Sequence, residues 1–238
     1  TLYRVRVELK AGALVDSTVT RFGFREFEIA GRDFMMNGRR IMLVRNSTLT
    51  HLANATNGAI EMQTQVTRPY NCVRLHLGQN NPAQLDACDQ MGMMAIPEAA
   101  FSWTDRYPSA AKEVWLANTL EYYRRWVKLL RNHPAVILWS LCNETYWDNR
   151  VPADMAVAEQ LLATVRQMDP TRPQQGDGET SWDGRLPTIN IHYPESEAGL
   201  VGRAFPNAGL VVPNDLWWLR DRVENAGWRG KFVWDRRL

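Results

Sequence analysis

The fold of this chain is decided by one stretch, Arg131-Asn132-His133-Pro134-Ala135-Val136-Ile137-Leu138-Trp139-Ser140-Leu141-Cys142-Asn143-Glu144. Pro134 cannot extend a helix, so the preceding helix is expected to end before it. The apolar run 135–141, interrupted only by Ser140, predicts a strand buried on both faces, as in a parallel sheet. Such a strand delivers Asn143 and Glu144 to its C-terminal end, which is where the chemistry of parallel α/β barrels takes place.

Further strand and helix patterns lie on both sides of this stretch. The other buried strands are predicted at 41–44, 71–77, 93–97, 174–177, 188–192 and 230–234. Helices are predicted at 58–67, 81–92, 109–132, 153–168 and 214–226. Asn81 and Pro82 form a helix start, because Asn caps backbone N–H groups and Pro suits the first turn. The segment 195–213 is poorly patterned and is predicted to be a loop.

The first 30 residues have a different pattern. Apolar residues alternate with charged ones over residues 3–9, which predicts a half-buried antiparallel strand, and more strand signal continues to residue 29. Two or three strands do not make a stable sheet alone, so residues 1–30 are predicted to be the C-terminal part of a β-sandwich. Asn37-Gly38 between apolar arms then predicts a tight hairpin.

Composition excludes several classes of protein. The chain has 238 residues, 45% of them hydrophobic, and a net charge of only +2, which gives no electrostatic case for binding nucleic acid or an anionic membrane. No apolar stretch approaches the roughly 20 residues that a membrane span needs. The three cysteines, Cys72, Cys88 and Cys142, are predicted to be packed thiols rather than a disulfide framework or a zinc site.

The organising stretch resembles the acid/base strand of glycoside hydrolase family 2, which contains β-galactosidases, β-glucuronidases and β-mannosidases. His-Pro, a hydrophobic strand with Trp-Ser, and a final Asn-Glu carry this resemblance. Other motifs similar to those of the family follow in family order: Phe22-Gly23-Phe24-Arg25, Asn71-Cys72-Val73-Arg74, Asp86 to Gly92, Glu98-Ala99 and Asp169-Pro170-Thr171-Arg172-Pro173. The resemblance implies a (β/α)8 TIM barrel over residues 31–238, incomplete at about seven strands, preceded in residues 1–30 by the C-terminal strands of an immunoglobulin-like β-sandwich domain.

The resemblance also implies roles for individual residues. Glu144 would be the general acid/base of a retaining mechanism, and Asn143 would bind the sugar 2-hydroxyl. Arg74 and Tyr193 would orient the nucleophile and keep it ionised. The remaining substrate-binding candidates are His51, His76, Glu98, Trp103, Trp147 and His192. The implied partner is a glycoside, and the family allows a homo-oligomer formed through regions outside this chain.

No metal and no cofactor is expected at this site. Glu98-Ala99 resembles the β-galactosidase branch of the family, in which the metal-binding members carry an acidic residue and a His just downstream. Phe101 and Trp103 stand at those positions, and neither can bind magnesium.

The expected nucleophile is missing. The family places a Glu at the end of strand seven, usually six residues after a Lys/Arg-Pro pair, and counting from Lys231 reaches Arg237. Asp235 is the nearby carboxylate, one methylene shorter and two positions early. Three explanations stay open: a truncated or substituted chain without the nucleophile, an irregular strand that uses Asp235, or a segment of a longer protein.

Two functions from different classes therefore remain. The first is a retaining glycoside hydrolase, or a fragment of one. The alternative is a catalytically inactive carbohydrate-binding barrel that lacks the nucleophile. An unrelated barrel enzyme such as an isomerase is disfavoured, because nothing resembles a phosphate-binding glycine loop near the last strands. The sugar, the linkage and the compartment are not indicated by the sequence.

Overall fold

The computed structural model describes residues 1–31, 33–48, 70–78, 81–102, 112–145, 152–177, 185–191, 210–213, 231–232 and 234–235. Its strands are β1 (Tyr3–Ala11), β2 (Leu14–Phe22), β3 (Phe27–Ala30), β4 (Asp33–Met36), β5 (Arg39–Ile41), β6 (Val44–Thr48), β7 (Cys72–Leu75), β8 (Met94–Pro97), β9 (Trp139–Asn143), β10 (Gln174–Asp177), β11 (Ile189–Ile191), β12 (Leu210–Pro213), β13 (Lys231–Phe232) and β14 (Trp234–Asp235). Its helices are α1 (Pro82–Met91), α2 (Lys112–Leu130) and α3 (Pro152–Met168), with a short 3-10 helix at His76–Gly78. None of these described helices has the length and hydropathy to cross a bilayer.

The strands from β6 onward pair in parallel. The order β14-β6-β7-β8 forms one sheet, β9 pairs with β10, and β11-β12-β13 forms a third group. Isolated parallel bridges, Ala95 to Val136, Glu98 to Ser140 and Ser102 to Asn143, connect β8 with β9. Within the described ranges these pairings do not close into one ring. They do bring the C-terminal ends of β7, β8, β9 and β10 to the same side of the molecule.

The start and end of helix α1 follow from its capping residues, as predicted. The Asn81 side chain accepts a hydrogen bond from the Ala83 N–H at 2.9 Å, and Pro82 occupies the first turn. Gly92 ends the helix with a φ of 76°, a left-handed conformation that glycine adopts without steric cost. Met93 and strand β8 follow at once, so the cap fixes where the third parallel strand begins.

The Asn37-Gly38 hairpin is also confirmed. Its two turn residues have φ values of 51° and 71°, and β4 pairs antiparallel with β5. Phe27 and Phe34 stack with ring centroids 5.4 Å apart and pack in a cluster with Leu43. The other buried members of that cluster are Cys72, Ile96, Ile137 and Leu138. Several of these residues start or precede a parallel strand, so the hairpin covers the end of the sheet opposite the candidate site.

The main core lies between the strands and helices α1 to α3. Trp139 is fully buried at the centre of this core, and its ring packs edge-on against the ring of Trp126 with centroids 4.8 Å apart. The Trp139 indole N–H donates to Asp169 Oδ2 at 2.9 Å, and Arg172 donates to the same oxygen at 2.5 Å. Burial acts to raise the pKa of Asp169, but the Thr171 hydroxyl and Arg172 outweigh it and hold that pKa below its ordinary value. The Asp-Pro-Thr-Arg-Pro motif therefore anchors the start of β10 to β9.

Four expectations need correction. The first parallel strand is Val44–Thr48, not 41–44, and the fourth is Trp139–Asn143, not 135–141. The segment predicted to be a loop contains strand β12, so among the described strands one more parallel strand precedes the strand predicted at 230–234, which is present as β13 and β14. β12 is only four residues long, and its apolar run is too short to separate from a loop by periodicity.

The N-terminal strands pair as predicted, but their burial was predicted wrongly. β1 and β2 form a two-stranded antiparallel ribbon in which Tyr3 lies opposite Phe22 and Ala11 opposite Leu14. Every residue of β1 is exposed, including Leu9 at 66%. The apolar face of the ribbon is therefore open rather than half buried, because no other described element covers it.

All three cysteines are buried thiols, as predicted. They lie on β7, α1 and β9, which are three different elements of the core.

Candidate active site

Strand β9 carries the two central candidates to its C-terminal end. Asn143 is the last residue of the strand and is 5% exposed, while Glu144, directly after it, is partly exposed. Glu144 has a φ of 52°, an uncommon conformation for a residue with a side chain, and its N–H donates to the Asp177 carbonyl at 2.8 Å. The parallel pairing of β9 with β10 therefore fixes the backbone of Glu144 at the end of β9.

Arg74, on β7, links the ends of three neighbouring strands. Its Nε donates to Glu98 Oε2 at 2.8 Å, and its Nη2 donates to Glu98 Oε1 at 2.9 Å. The same Nη2 donates to Asn143 Oδ1 at 2.7 Å, and Nε lies 3.1 Å from Asp177 Oδ2. The predicted pairing of Arg74 with carboxylates is present, as a buried charge requires. Its partners are Glu98 and Asp177.

Glu98 has no exposed surface, so direct contact with a substrate, as predicted, does not fit its position. Besides Arg74, its carboxylate accepts hydrogen bonds from the Leu77 N–H and the Ser140 hydroxyl, each at 2.9 Å. His76 Nδ1 lies 2.9 Å from Oε1. With both oxygens engaged by buried donors, Glu98 holds Arg74 in place.

His76 lies at the border between this buried cluster and solvent. It is on the 3-10 helix that follows β7, and its side chain is 16% exposed. One ring nitrogen contacts Glu98, which leaves the other nitrogen available to a ligand.

Arg45 and Asp177 belong to the same cluster, and the sequence interpretation missed both as site residues. Each is fully buried, and Arg45 Nη1 donates to Asp177 Oδ2 at 3.0 Å. Gln175 Nε2 donates to the same oxygen at 3.0 Å. A signal was present in the sequence: the predicted strand 174–177 is short and polar, and its carboxylate, Asp177, needs a partner of opposite charge if it is buried.

Five predicted site residues lie outside the described residues. They are His51, Trp103, Trp147, His192 and Tyr193.

The order of the described strands bears on where the expected nucleophile would lie. Counted from β6 among the described strands, β12 (Leu210–Pro213) is the seventh parallel strand, and Asn214 and Asp215 follow it in the sequence. β12 pairs in parallel with β11 on one side and β13 on the other. Asp235 ends β14, which pairs in parallel with β6.

A group of possible metal ligands lies outside the cluster around Arg74. Asp86, Asp89 and His133 have ligand atoms within 4.8 Å of one another. These groups already have protein partners. Asp89 contacts His133 Nδ1 and accepts from the Ala135 N–H, both at 2.7 Å, and Asp86 pairs with Arg21. These contacts hold the turn before β9 against helix α1, which explains the arrangement.

Comparison with known proteins gives a consistent result. The model of the family described as "Glycosyl hydrolases family 2, TIM barrel domain" matches residues 27–197. A beta-galactosidase of Psychromonas ingrahamii is 26% identical over 223 residues, which is 89% of this chain and 21% of that protein. A putative beta-glucuronidase of Formosa agariphila is 30% identical over 187 residues, 72% of this chain and 22% of that protein. The chain thus spans about a fifth of the length of these curated relatives.

Solved structures show the same fold. A glycosyl hydrolase family 2 member of Bacteroides cellulosilyticus matches with a TM-score of 0.76 at 21% identity, over 98% of this chain and 34% of that one. A beta-glucuronidase of Parabacteroides merdae, with glycerol in its active site, matches with a TM-score of 0.74 at 20% identity, over 89% of this chain and 28% of that one. Together with the family match, these similarities support a (β/α)8 fold.

Proposed function

This chain belongs to glycosyl hydrolase family 2, and from that membership we propose that the protein hydrolyses β-linked glycosides with retention of configuration. The observation that carries the proposal is the Arg74 hydrogen bond to Asn143, directly before Glu144. It fixes the orientation of the Asn143 amide at the end of a buried strand, and the partly exposed Glu144 comes directly after it.

Glu144 is proposed to act as the general acid and then as the general base. It first donates a proton to the leaving glycosidic oxygen, and later accepts a proton from the attacking water. Asn143 Oδ1 already accepts from Arg74, so the amide NH2 is the group left to donate to a sugar hydroxyl. A donor aimed at the 2-hydroxyl binds most strongly in the oxocarbenium-like transition state.

The surrounding residues supply orientation and a sugar surface. Arg74 and Tyr193 are proposed to orient the nucleophile and keep it ionised. Glu98 holds Arg74 in place through two hydrogen bonds. His76 offers its open ring nitrogen to the substrate. The other proposed subsite residues, by family resemblance, are His51, Trp103, Trp147 and His192.

One observation favours a second function, a carbohydrate-binding barrel that does not hydrolyse. A retaining mechanism needs a second carboxyl about 5–5.5 Å from the first. Counting from Lys231 reaches Arg237, and the residues that follow β12 are Asn214 and Asp215, so no Glu stands at either place where the family's nucleophile is expected. Such a barrel would keep Asn143, Arg74 and Glu144 as sugar ligands and would bind without turnover.

Turnover and binding assays on the intact protein separate the two functions. The substrates are aryl β-galactoside, β-glucuronide and β-mannoside, the first two chosen from the names of the relatives. Chromophore release, with calorimetric binding of the matching sugar, is the result expected for the hydrolase. Binding of a sugar without release supports the second function. Absence of both binding and release would exclude both functions.

We propose that residues 1–30 belong to a β-sandwich domain and residues 31–238 to the catalytic barrel. The β1-β2 ribbon supports this division, because a row of exposed apolar residues such as Val5, Val7 and Leu9 is the kind of surface that an interface covers. Hydrogen exchange of the intact protein should find the amides of β1 and β2 protected; fast exchange along both strands would contradict the proposal. A homo-oligomer formed through regions outside the chain stays a prediction.

A further inference from the structure

We propose that Arg45 and Asp177 are positioning residues, a buried ion pair that holds Glu144 at the end of β9 for proton transfer. The inference rests on the proposed role of Glu144 as proton donor. It adds two residues that neither the family resemblance nor the sequence pattern assigned to the site.

Asp177 is attached at both its backbone and its side chain. Its carbonyl accepts the Glu144 N–H at 2.8 Å. Its carboxylate Oδ2 accepts from Arg45 Nη1 at 3.0 Å and lies 3.1 Å from Arg74 Nε. Through Asp177 and Arg45, the Glu144 backbone is thereby linked to strand β6.

The backbone around this contact is irregular in a way that calls for such support. β10 has a register shift between Gln175 and Asp177, which sets Asp177 opposite Asn143. Irregularities of this kind often redirect side chains next to active sites. Glu144 itself has a φ of 52°, which persists only where neighbouring contacts hold the chain in place. The Asp177 carbonyl is one such contact, and Arg45 holds the residue that provides it.

The cluster combines buried charges of both signs. Four described ionic side chains, 0–1% exposed, come from four different elements: Arg45 from β6, Arg74 from β7, Glu98 after β8 and Asp177 from β10. His76, after β7, is the remaining described titratable group of the cluster. Among these four groups, two positive charges stand against two negative ones. Removing one member leaves a net charge that water screens poorly.

The test is a charge cycle in the intact protein. The variants are Arg45→Met, Asp177→Asn and the double variant, and the carboxyl titration of Glu144 is followed by 13C NMR, with its signal assigned from Glu144→Gln. Arg45→Met leaves excess negative charge and should raise the pKa of Glu144. Asp177→Asn leaves excess positive charge and should lower it. Each shift is expected to be on the order of 0.5–1 pH unit, and the double variant should return close to wild type.

Kinetics provide a second readout. A general acid works only while protonated, so activity is lost as pH rises through its pKa. The basic limb of the pH–rate profile should move upward for Arg45→Met and downward for Asp177→Asn. Misplacement of Glu144 should also reduce kcat by about tenfold to a hundredfold, with a smaller change in KM.

Two further variants make the result decisive. Arg45→Lys retains the charge and should keep the titration close to wild type, and Arg21→Met, which breaks the surface pair with Asp86, should leave it unchanged. If Arg45→Met does not fold, Arg45→Lys and Asp177→Asn carry the test. Folded variants whose Glu144 titrates as in wild type would overturn the positioning role. A wild-type protein without turnover would count against the proposed hydrolase, while the NMR titration still decides the role of the pair.

Discussion

Replacing Glu144 with Gln in the intact protein is expected to lower kcat/KM for an alkyl β-glycoside by at least about a hundredfold. Gln has nearly the same shape but cannot donate a proton to the leaving oxygen, and general acid–base catalysis contributes roughly 10²–10⁴-fold. Measurement of kcat and KM on one substrate series checks the expectation. Because Glu144 is partly exposed, the substitution should leave the protein folded.

The leaving group gives this prediction a sharper form. A dinitrophenolate leaves without protonation, so Glu144→Gln should slow the first step of a dinitrophenyl glycoside far less than that of an alkyl glycoside. Glu159→Gln is the matched control, because Glu159 forms a surface ion pair with Arg185 away from the cluster. Equal losses on both substrates, or full activity of Glu144→Gln, would remove the proton-donor role.

Replacing Arg74 with Met should destabilise the protein by about 3–5 kcal/mol, the usual cost of removing one partner from a buried ion pair. The substitution leaves Glu98 and Asp177 without a shared cation and leaves Asn143 without the donor that fixes its amide. Denaturant unfolding measures the loss. Part of the stability should return in a variant that also carries Glu98→Gln, because the uncompensated negative charge is then smaller.

A surface arginine provides the comparison. Arg125 donates to Glu121 at 2.7 Å along helix α2, with its side chain 79% exposed. Arg125→Met should leave the unfolding midpoint nearly unchanged, because solvent screens exposed pairs and their geometry is loose. If the two arginine variants had equal effects, the buried cluster would not be a special source of stability.

Local chemistry made much of the fold predictable from sequence. Asn81 and Gly92 ended their helix where capping rules place the ends, and Asn37-Gly38 formed the turn that positive φ values require. The strand-four motif and Arg74 were recognised because Asn-Glu and Asn-x-x-Arg occur in family order. Each of these motifs is formed by residues that are close together in the sequence, so no tertiary information is needed to interpret it.

The errors arose where tertiary partners decide the structure. Arg45 looked like the start of a loop because nothing in its own segment shows that Asp177, 132 positions away, neutralises it. β12 is four residues long and is recognisable as a strand only from its pairing with β11 and β13. The exposed face of β1 was predicted to be half buried because alternation shows which side of a strand is apolar, but not what covers it.

The burial of Cys72, Cys88 and Cys142 has a practical consequence for future experiments. A thiol reacts with an alkylating reagent only when it meets solvent, so each cysteine becomes reactive only when its own element opens. Strand β7, helix α1 and strand β9 thus each carry a native chemical reporter. The order in which the protein comes apart can be followed by mass spectrometry of the alkylated peptides, without introducing any label.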